Sequence, residues 1–248
     1  MAGRSPSNPE RAEALVAAMT LDELAQLVGV WVGADPSGGA VVPRQSDMTG
    51  EPVAWPEVIA NGLGQLTRPF GTRPVTPAAG ARSLALSQRQ IVAASRFGIP
   101  ALVHEECLTG FAAWQATTYP APLSWGASFD PALVVEMAGL IGESMRAVGV
   151  HQGLAPVLDV TRDYRWGRTE ETIGEDPYLV GTVGTAYVHG LEGSGIVATL
   201  KHFAGYSASR AGRNLAPVAI GARELADVVL PPFEMAVRDG RVRSVMNS

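Results

Sequence analysis

The chain has 248 residues, of which 46% are apolar, and its formal net charge is −5 at pH 7. That much apolar sequence can bury a sizeable core, so a single domain over residues 1–248 is expected. The mild acidity argues against nucleic acid or an anionic membrane as the main partner. Cys107 is the only cysteine, which excludes an intrachain disulfide and a metal site built from several cysteines.

The first fifteen residues, MAGRSPSNPERAEAL, contain no apolar segment of the kind found in secretory signals. No apolar run in the chain approaches the ~18 residues that a membrane-spanning helix needs. We therefore expect a cytoplasmic protein that does not cross a membrane.

Residues 1–57 are predicted to form a helical segment followed by a long excursion. Asn8 and Pro9 have the pattern of a helix N-cap and a first helical residue. Thr20 and Glu23 have the spacing of a capping box, which predicts a second helix that ends near Gly29. Residues 33–57 are rich in glycine, proline and polar residues, which is typical of a loop.

From residue 58 onward, segments typical of strands and helices alternate. The predicted strands cover residues 62–67, 99–106, 153–160, 195–203 and 243–247. The predicted helices cover residues 76–97, 130–148, 176–193 and 222–239, with Pro231 and Pro232 expected to perturb the last one. The alternation predicts a parallel sheet with helical crossovers, and by itself it leaves an open doubly wound sheet and a (β/α)8 barrel as alternatives.

Polar residues stand at the carboxyl ends of four consecutive predicted strands. They are His104, Glu105 and Glu106, then Asp159 and Asp163, then Lys201 and His202, and finally Asn247 and Ser248. The loops at this end of a β/α barrel converge on its active site. No G-x-G-x-x-G sequence follows the first predicted strand, so the fingerprint of a dinucleotide-binding sheet is missing.

Residues 159–179, DVTRDYRWGRTEETIGEDPYL, are rich in charge, with eight charged residues among the fifteen from Arg162 to Asp176. A solvated loop would account for this composition. Trp166, which lies between Arg165 and Arg168, favours a second interpretation. An aromatic ring and planar guanidinium groups together suit the apolar face and the hydroxyls of a sugar.

Several segments resemble one known family, in its order and spacing. They are GLGQLTRPFG, GIPALVHEECLTG, YPAPLSWGASFDPAL, APVLDVTRDYRWGRTEETIGEDPYL, ATLKHFAGY and LPPFEMAVRDGRVRSVMNS. Together they resemble the N-terminal barrel domain of glycoside hydrolase family 3 over residues 10–248. The resemblance implies a (β/α)8-type barrel and a retaining exo-acting β-glycosidase of the β-glucosidase or β-xylosidase type. Its substrate would be a β-linked oligosaccharide or an aryl or alkyl glycoside, with no metal and no cofactor.

The resemblance also implies which residues hold the terminal sugar in the −1 subsite: Glu106, Arg168, Lys201 and His202. The family's nucleophile and general acid/base would lie beyond Ser248. Because five strands cannot close an eight-stranded barrel, we expect a partial barrel of about five β/α units, with its last strand at an edge. The remainder of its own chain would then complete the barrel.

Adjacent residues of a strand normally point to opposite faces, which conflicts with Lys201 and His202 binding one sugar. The resemblance therefore predicts an irregular backbone, with strain or a non-proline cis peptide between Lys201 and Phe203.

Each candidate residue also has a purely structural interpretation. Arg168 could pair with Glu170, Glu171 or Glu175, Lys201 could pair with Asp159, and Glu106 could be an ordinary loop carboxylate. Asp159 is expected to be structural, Cys107 to be a small buried hydrophobic residue, and the histidines at 104, 151 and 189 to be structural or exposed. Trp125 and Trp166 could belong to the core, with Trp166 the better candidate to lie near a sugar.

Other functions remain open at this point. A truncated chain could bind sugar without turnover, or a strand-end lysine such as Lys201 could form the Schiff base of an aldolase. The β-N-acetylglucosaminidases of the family carry Pro-Gly-His where this chain has Ala204-Gly205-Tyr206, which disfavours that activity.

Overall fold

The computed structural model describes residues 7–29, 31–33, 54–71 and 74–248. The helices of these residues are α1 (Asn8–Ala18), α2 (Leu21–Gly29), α3 (Trp55–Val58), α4 (Pro77–Ala94), α5 (Pro122–Ser128), α6 (Pro131–Ala147), α7 (Pro177–Gly193), α8 (Ala222–Glu224) and α9 (Leu230–Arg238). The strands are β1 (Trp31–Gly33), β2 (Gln65–Thr67), β3 (Leu102–Glu105), β4 (Gln152–Gly153), β5 (Val197–Phe203) and β6 (Ser244–Asn247). Short 3-10 turns cover Thr169–Glu171, Tyr206–Ala208 and Arg210–Gly212.

The described strands form one parallel sheet in the order β1-β2-β3-β4-β5-β6, which is the arrangement of one arc of a (β/α)8 barrel. The predicted fold class is therefore confirmed. Strand β1 adds one strand to the predicted five, and it lies between the predicted second helix and the predicted excursion. Strand β6 pairs with β5 alone, so it lies at an edge of the described sheet as expected.

The segment after β4 differs from its prediction, because only Gln152–Gly153 is a regular strand where 153–160 was expected. Pro156 has no N–H to donate to a neighbouring strand, so the ladder is interrupted there. The chain still runs beside β5, since Leu158 N donates to Lys201 O at 2.7 Å and Lys201 N donates to Pro156 O at 3.1 Å. Asp159 is therefore carried to the same edge as the end of β5.

Helix starts follow the predicted capping chemistry in most cases. Asp130 and Asp176 cap α6 and α7 through their carboxylates, and each is followed by a proline in the first turn. The predicted capping box of Thr20 and Glu23 is confirmed at α2. The first helix is capped by Ser7 rather than by Asn8, one residue earlier than expected.

The last predicted helix, 222–239, is not continuous. Helices α8 and α9 are joined by a π-helical segment, Leu225–Val229, that precedes Pro231 and Pro232. Proline cannot donate the i→i−4 hydrogen bond, so the regular α-helical pattern is interrupted there as expected. Helices α3 and α5 were not predicted.

The core lies between the sheet and the helices, and α6 and α7 contribute the largest share of buried helical residues. Most of the predicted excursion, residues 34–53, lies outside the described residues. Among the residues that the structure describes, no helix combines the length and apolar character needed to span a membrane.

Candidate functional site

Lys201 lies beside Glu106 at the carboxyl end of the sheet. Its ammonium Nζ lies 2.9 Å from Glu106 Oε2, and the Lys201 side chain is 3% exposed, whereas that of Glu106 is 34% exposed. Burying an ammonium without a partner is costly, and Glu106 supplies the compensating charge. The alternative that Lys201 pairs with Asp159 is wrong, because that carboxylate is bound elsewhere.

Asp159 binds the next residue of the strand, His202. Asp159 Oδ2 lies 2.8 Å from His202 Nδ1 and accepts the His202 backbone N–H at 3.1 Å, while Oδ1 accepts the Ser207 N–H at 3.4 Å. A carboxylate only accepts hydrogen bonds, so this contact places a hydrogen on Nδ1 and leaves Nε2 for another partner. Asp159 is buried and holds the imidazole in place, as expected of a structural residue.

The backbone between these residues is irregular, as predicted. The Lys201–His202 and Phe203–Ala204 peptide bonds are both cis and neither precedes a proline. Lys201 and His202 reach carboxylates that stand after two neighbouring strands, β3 and β4.

Arg168 forms a two-point ion pair with Glu171. Its Nε and Nη2 donate to Oε1 and Oε2 at 2.7 Å each. Burial alone would lower the pKa of Arg168, but the bonds to Glu171 outweigh it and leave that pKa above its ordinary value. Burial alone would raise the pKa of Glu171, but Arg168 and the nearby charges of Lys201 and His202 hold it below its ordinary value. The structure therefore confirms one of the predicted pairings and brings Arg168 into the same cluster.

Tyr206 is a member of the cluster that the sequence analysis missed. Its ring packs edge-on against His202 with centroids 5.0 Å apart and against Trp166 at 5.2 Å, and the Arg168 guanidinium lies 5.5 Å from its centre. Its hydroxyl donates to Asn214. The available signal was its place four residues after His202, in the quoted segment ATLKHFAGY.

Trp166 and Trp125 are both buried, so the structure supports the core interpretation for each. Trp125 stacks on Tyr187 with centroids 4.9 Å apart. The Trp166 ring contacts Tyr206, and its Nε1 has no hydrogen-bond partner among the described residues.

The remaining candidates have structural positions. Burial lowers the pKa of His104 to about 4, and its Nε2 lies 2.9 Å from Thr67 Oγ1. His151 Nδ1 accepts the Val103 N–H at 3.1 Å. Cys107 is fully buried, and burial raises the pKa of its thiol to about 12. These outcomes agree with the structural roles expected for them.

Glu105 was noted only as one of the polar residues at a strand end, and the structure gives it a distinct environment. It is 0% exposed, and its Oε1 accepts the Phe70 N–H at 2.6 Å. Burial raises the pKa of Glu105 to about 8, although the Phe70 N–H and the Arg68 charge oppose this shift. Among the described residues, no cluster of three or more metal-ligating side chains is present.

The profile of the family described as "Glycosyl hydrolase family 3 N terminal domain" matches residues 19–248. The chain belongs to glycoside hydrolase family 3. A beta-xylosidase of Formosa agariphila is 40% identical over 167 residues, which are 61% of this chain and 23% of that protein. A putative beta-xylosidase of the same organism is 31% identical over 250 residues, covering 96% of this chain and 32% of the relative.

Solved structures of β-glucosidases share the fold. A β-glucosidase from Erythrobacter marinus superposes with a TM-score of 0.84 at 35% identity, covering 98% of this chain and 32% of that one. A β-glucosidase from Listeria innocua, solved in complex with glucose, gives a TM-score of 0.78 at 28% identity over 98% of this chain and 33% of its own. This family 3 chain therefore spans about a third or less of the length of these relatives.

Proposed function

We propose that this chain forms the glycone-binding part of a retaining β-glycosidase that removes terminal β-linked xylose or glucose residues. The observation that carries the proposal is the cluster at the carboxyl end of the sheet. There, Lys201 and His202 are each bonded to a carboxylate. The charges of Lys201 and His202 also lower the pKa of Glu171, the residue that pairs with Arg168. Relatives named as β-xylosidases and β-glucosidases support both sugars as the glycone.

Each residue has a definite task in this proposal. The Lys201 ammonium and the Arg168 guanidinium donate hydrogen bonds to sugar hydroxyls, and the partly exposed Glu106 carboxylate accepts from them. His202 presents Nε2, because its Nδ1 is occupied by Asp159. Groups held in place before the sugar arrives lose little freedom on binding, and bonds to the sugar that strengthen in the transition state lower the barrier.

The catalytic carboxyl pair is placed outside this cluster. A retaining mechanism needs a nucleophile and an acid/base about 5–5.5 Å apart. The three carboxylates of the cluster, those of Glu106, Asp159 and Glu171, are each bonded to a cationic or imidazole side chain. As the resemblance to the family implies, we place both catalytic groups in sequence following Ser248, which is consistent with the greater length of the relatives.

The first test is to read the encoding DNA past the codon for Ser248. A frame that continues to another strand followed by an aspartate supports the proposal, and the complete encoded protein should then hydrolyse aryl β-xylosides or β-glucosides. Substituting Lys201→Met should reduce that hydrolysis at least tenfold. Turnover of these glycosides by residues 1–248 alone would contradict the placement of the catalytic pair.

A stop codon directly after Ser248 would instead favour a sugar-binding chain without turnover. Calorimetric titration with glucose and xylose would then decide between binding and no function. If the chain binds sugar and Lys201→Met abolishes the heat of binding, the sugar site of the proposal is supported and only the hydrolysis is excluded.

The aldolase alternative is disfavoured by the geometry. A Schiff-base lysine must present its amine to a carbonyl substrate, and Lys201 Nζ is buried and bonded to the Glu106 carboxylate. Borohydride trapping of a carbonyl substrate on Lys201 is the observation that would restore it.

A further inference from the structure

Tyr206 packs against two residues of the proposed sugar site, although it is not one of the four residues assigned to that site. It begins the 3-10 turn Tyr206–Ala208 that follows β5. Gly205, directly before it, has a φ of +96°, in the left-handed region that favours glycine. The turn brings the Tyr206 ring back against the end of β5, where it packs on His202.

The Tyr206 ring contacts one site residue on each of two separate segments. The His202 imidazole meets it edge-on, with centroids 5.0 Å apart and ring planes at 85°. The Arg168 guanidinium carbon lies 5.5 Å from the ring centre, within the range of a cation–π contact. Burial lowers the pKa of Arg168, whereas Glu171 and the Tyr206 side chain raise it. Tyr206 therefore links the end of β5 to the charged segment 159–179.

The position of the Tyr206 ring is itself fixed by its surroundings. Its hydroxyl donates to Asn214 Oδ1. The next residue of the turn is tied to the segment after β4, because Ser207 Oγ donates to Val160 O at 2.7 Å. The Trp166 ring packs edge-on against Tyr206 with centroids 5.2 Å apart. A ring that is held by its backbone, its hydroxyl and a neighbouring indole can support the two site residues that pack against it.

The carboxylates that bind His202 and Arg168 leave each group one direction in which it can move. Asp159 binds one nitrogen of the His202 ring, and an imidazole can still tilt about a single contact of this kind. Glu171 binds Arg168 along one edge, through Nε and Nη2, and leaves the faces of the guanidinium free. The Tyr206 ring packs against both groups and restricts this motion. It thereby determines where His202 Nε2 and Arg168 Nη1 point.

We propose that Tyr206 is a positioning residue of the sugar site, whose ring sets the direction in which His202 and Arg168 present these nitrogen atoms to the sugar. The inference rests on the proposed function, since it concerns the same site. Tyr206 acts through the two residues and needs no contact with the sugar. Hydrogen bonds depend steeply on direction, and the transition state benefits most from groups that are already in place. Loss of the ring should therefore slow hydrolysis more than it weakens the binding of free sugar.

The main test removes the ring and keeps an apolar side chain. In the complete encoded protein, Tyr206→Leu should lower kcat/KM for 4-nitrophenyl β-D-xyloside or β-D-glucoside about tenfold, mostly through kcat, because small misplacements of binding groups are costly. Tyr206→Phe keeps the ring and loses the hydroxyl, so a loss of only about threefold is expected. The matched control is Tyr164→Leu, which removes an exposed ring whose hydroxyl bonds Glu175 and should leave kcat/KM unchanged.

A double-mutant cycle tests whether Tyr206 acts through Arg168. Arg168→Lys removes the guanidinium that the ring contacts, so Tyr206→Leu should then cost less than it does alone. The two losses in kcat/KM should therefore multiply to more than the loss measured in the double variant. Urea denaturation checks that each variant is folded under the assay conditions. Losses that multiply fully would overturn the positioning role through Arg168.

Asn214→Ala provides a second route if Tyr206→Leu does not fold. Asn214 is exposed, and its substitution removes the same hydrogen bond as Tyr206→Phe. Each change should lower kcat/KM about threefold, and the two together should lower it no further than either alone. No loss in Asn214→Ala would overturn the proposal in that case.

The remaining outcomes separate this inference from the proposed function. Unchanged kcat/KM in Tyr206→Leu, with the unsubstituted protein active, would overturn the positioning role and leave the proposed function standing. A loss in Tyr206→Phe as large as that in Tyr206→Leu would also overturn it, because the ring would then not be the part that matters. If the unsubstituted complete protein neither hydrolyses these glycosides nor binds xylose or glucose in calorimetry, the proposed function fails, and the positioning role fails with it.

Discussion

The two carboxylate contacts at the end of β5 are neighbours in sequence but differ in their access to solvent. Lys201 and Glu106 are 2.9 Å apart and His202 and Asp159 are 2.8 Å apart, so the contacts are almost equal in length. Glu106 is one-third exposed, whereas the Asp159 side chain is 1% exposed. A ligand can therefore reach the first contact, which we call the open contact, whereas the second, the closed contact, is buried.

This difference assigns distinct tasks to residues of the same type. A partly hydrated carboxylate can exchange water for sugar hydroxyls at little cost, while a fully buried one must keep the partners it has. Asp159 binds two backbone N–H groups and one imidazole, all from the segment 202–207, and so acts as a support. Substitutions at the closed contact should reduce stability most, and those at the open contact should reduce binding most.

Among these substitutions, Asp159→Ala is expected to have the largest effect on stability. The change leaves the buried His202 imidazole and the N–H groups of His202 and Ser207 without an acceptor, so the free energy of unfolding should fall by about 3–5 kcal/mol. Urea denaturation of the complete encoded protein measures it. Asp163→Ala removes a solvent-exposed pair with Arg165 and serves as the control, with a far smaller change expected. A loss at Asp159 no larger than the control would refute its role as a support.

The open contact should respond asymmetrically to removal of either partner. Glu106→Ala strands an ammonium that is 3% exposed and should cost roughly 3 kcal/mol, whereas Lys201→Met leaves a carboxylate that water can reach and should cost less. Both variants should bind glucose or xylose at least tenfold more weakly, because a charge-assisted hydrogen bond contributes about 1.5–3 kcal/mol. Denaturation and calorimetry on the same samples check both results. Equal stability losses in the two variants would show that the difference in solvent exposure between Lys201 and Glu106 does not determine the cost of removing either one.

Glu105 extends the comparison to a buried carboxyl with no bonded cation. Its pKa of about 8 in the folded protein lies above the ordinary value of 4.5, so the folded state binds the extra proton between these values. The free energy of unfolding should therefore fall, through this group, as the pH rises from ~5 to ~8. Glu105→Gln should remove that decline and gain a few kcal/mol relative to the unsubstituted protein at pH 8.

Denaturation at a series of pH values measures this difference. The opposing contribution of His104, whose lowered pKa favours folding as the pH rises to ~6.5, is common to both proteins and cancels. Parallel pH profiles for Glu105→Gln and the unsubstituted protein would be inconsistent with a neutral buried carboxyl.

The smallest effect is expected for Arg168→Lys, which keeps the charge and removes the two-point contact with Glu171. The pair is about one-quarter exposed on each side, so a stability loss of about 1 kcal/mol is expected, with a roughly tenfold loss of sugar affinity. Arg165→Lys, at an exposed pair, is the matched control. Unchanged sugar affinity in Arg168→Lys would exclude this residue from the sugar site.

Much of the fold could be predicted because its signals are local. Capping by Asp130 and Asp176 and the apolar runs before Lys201 and Ser248 place helices and strands within a few residues of their observed bounds. The three-residue strand β1 and the interrupted segment after β4 were not predicted correctly. Both depend on pairing with strands that are distant in sequence, and such pairing leaves little trace in a short segment.

The candidate site was predictable for a different reason, which is that polar residues at strand ends are conspicuous in an otherwise apolar pattern. Glu106, Lys201 and His202 were noted as polar residues at strand ends, and the resemblance to family 3 implied these three and Arg168 as the sugar-binding residues. Tyr206 was missed because one half-buried aromatic residue in a turn has no distinctive local pattern. Its role depends on contacts with His202 and with Trp166 and Arg168 of the charged segment 159–179.

The sequence by itself determined the alternation of strands and helices from residue 58 onward, the family and the set of polar residues at one end of the sheet. These follow from periodicity, capping and motif spacing, which are properties of neighbouring residues. Only the tertiary structure decided that Lys201 pairs with Glu106 while Asp159 supports His202, and that Glu105 is fully buried. Pairing and burial depend on which segments meet in space, and a carboxylate has the same local sequence signature whether it is open to solvent or closed.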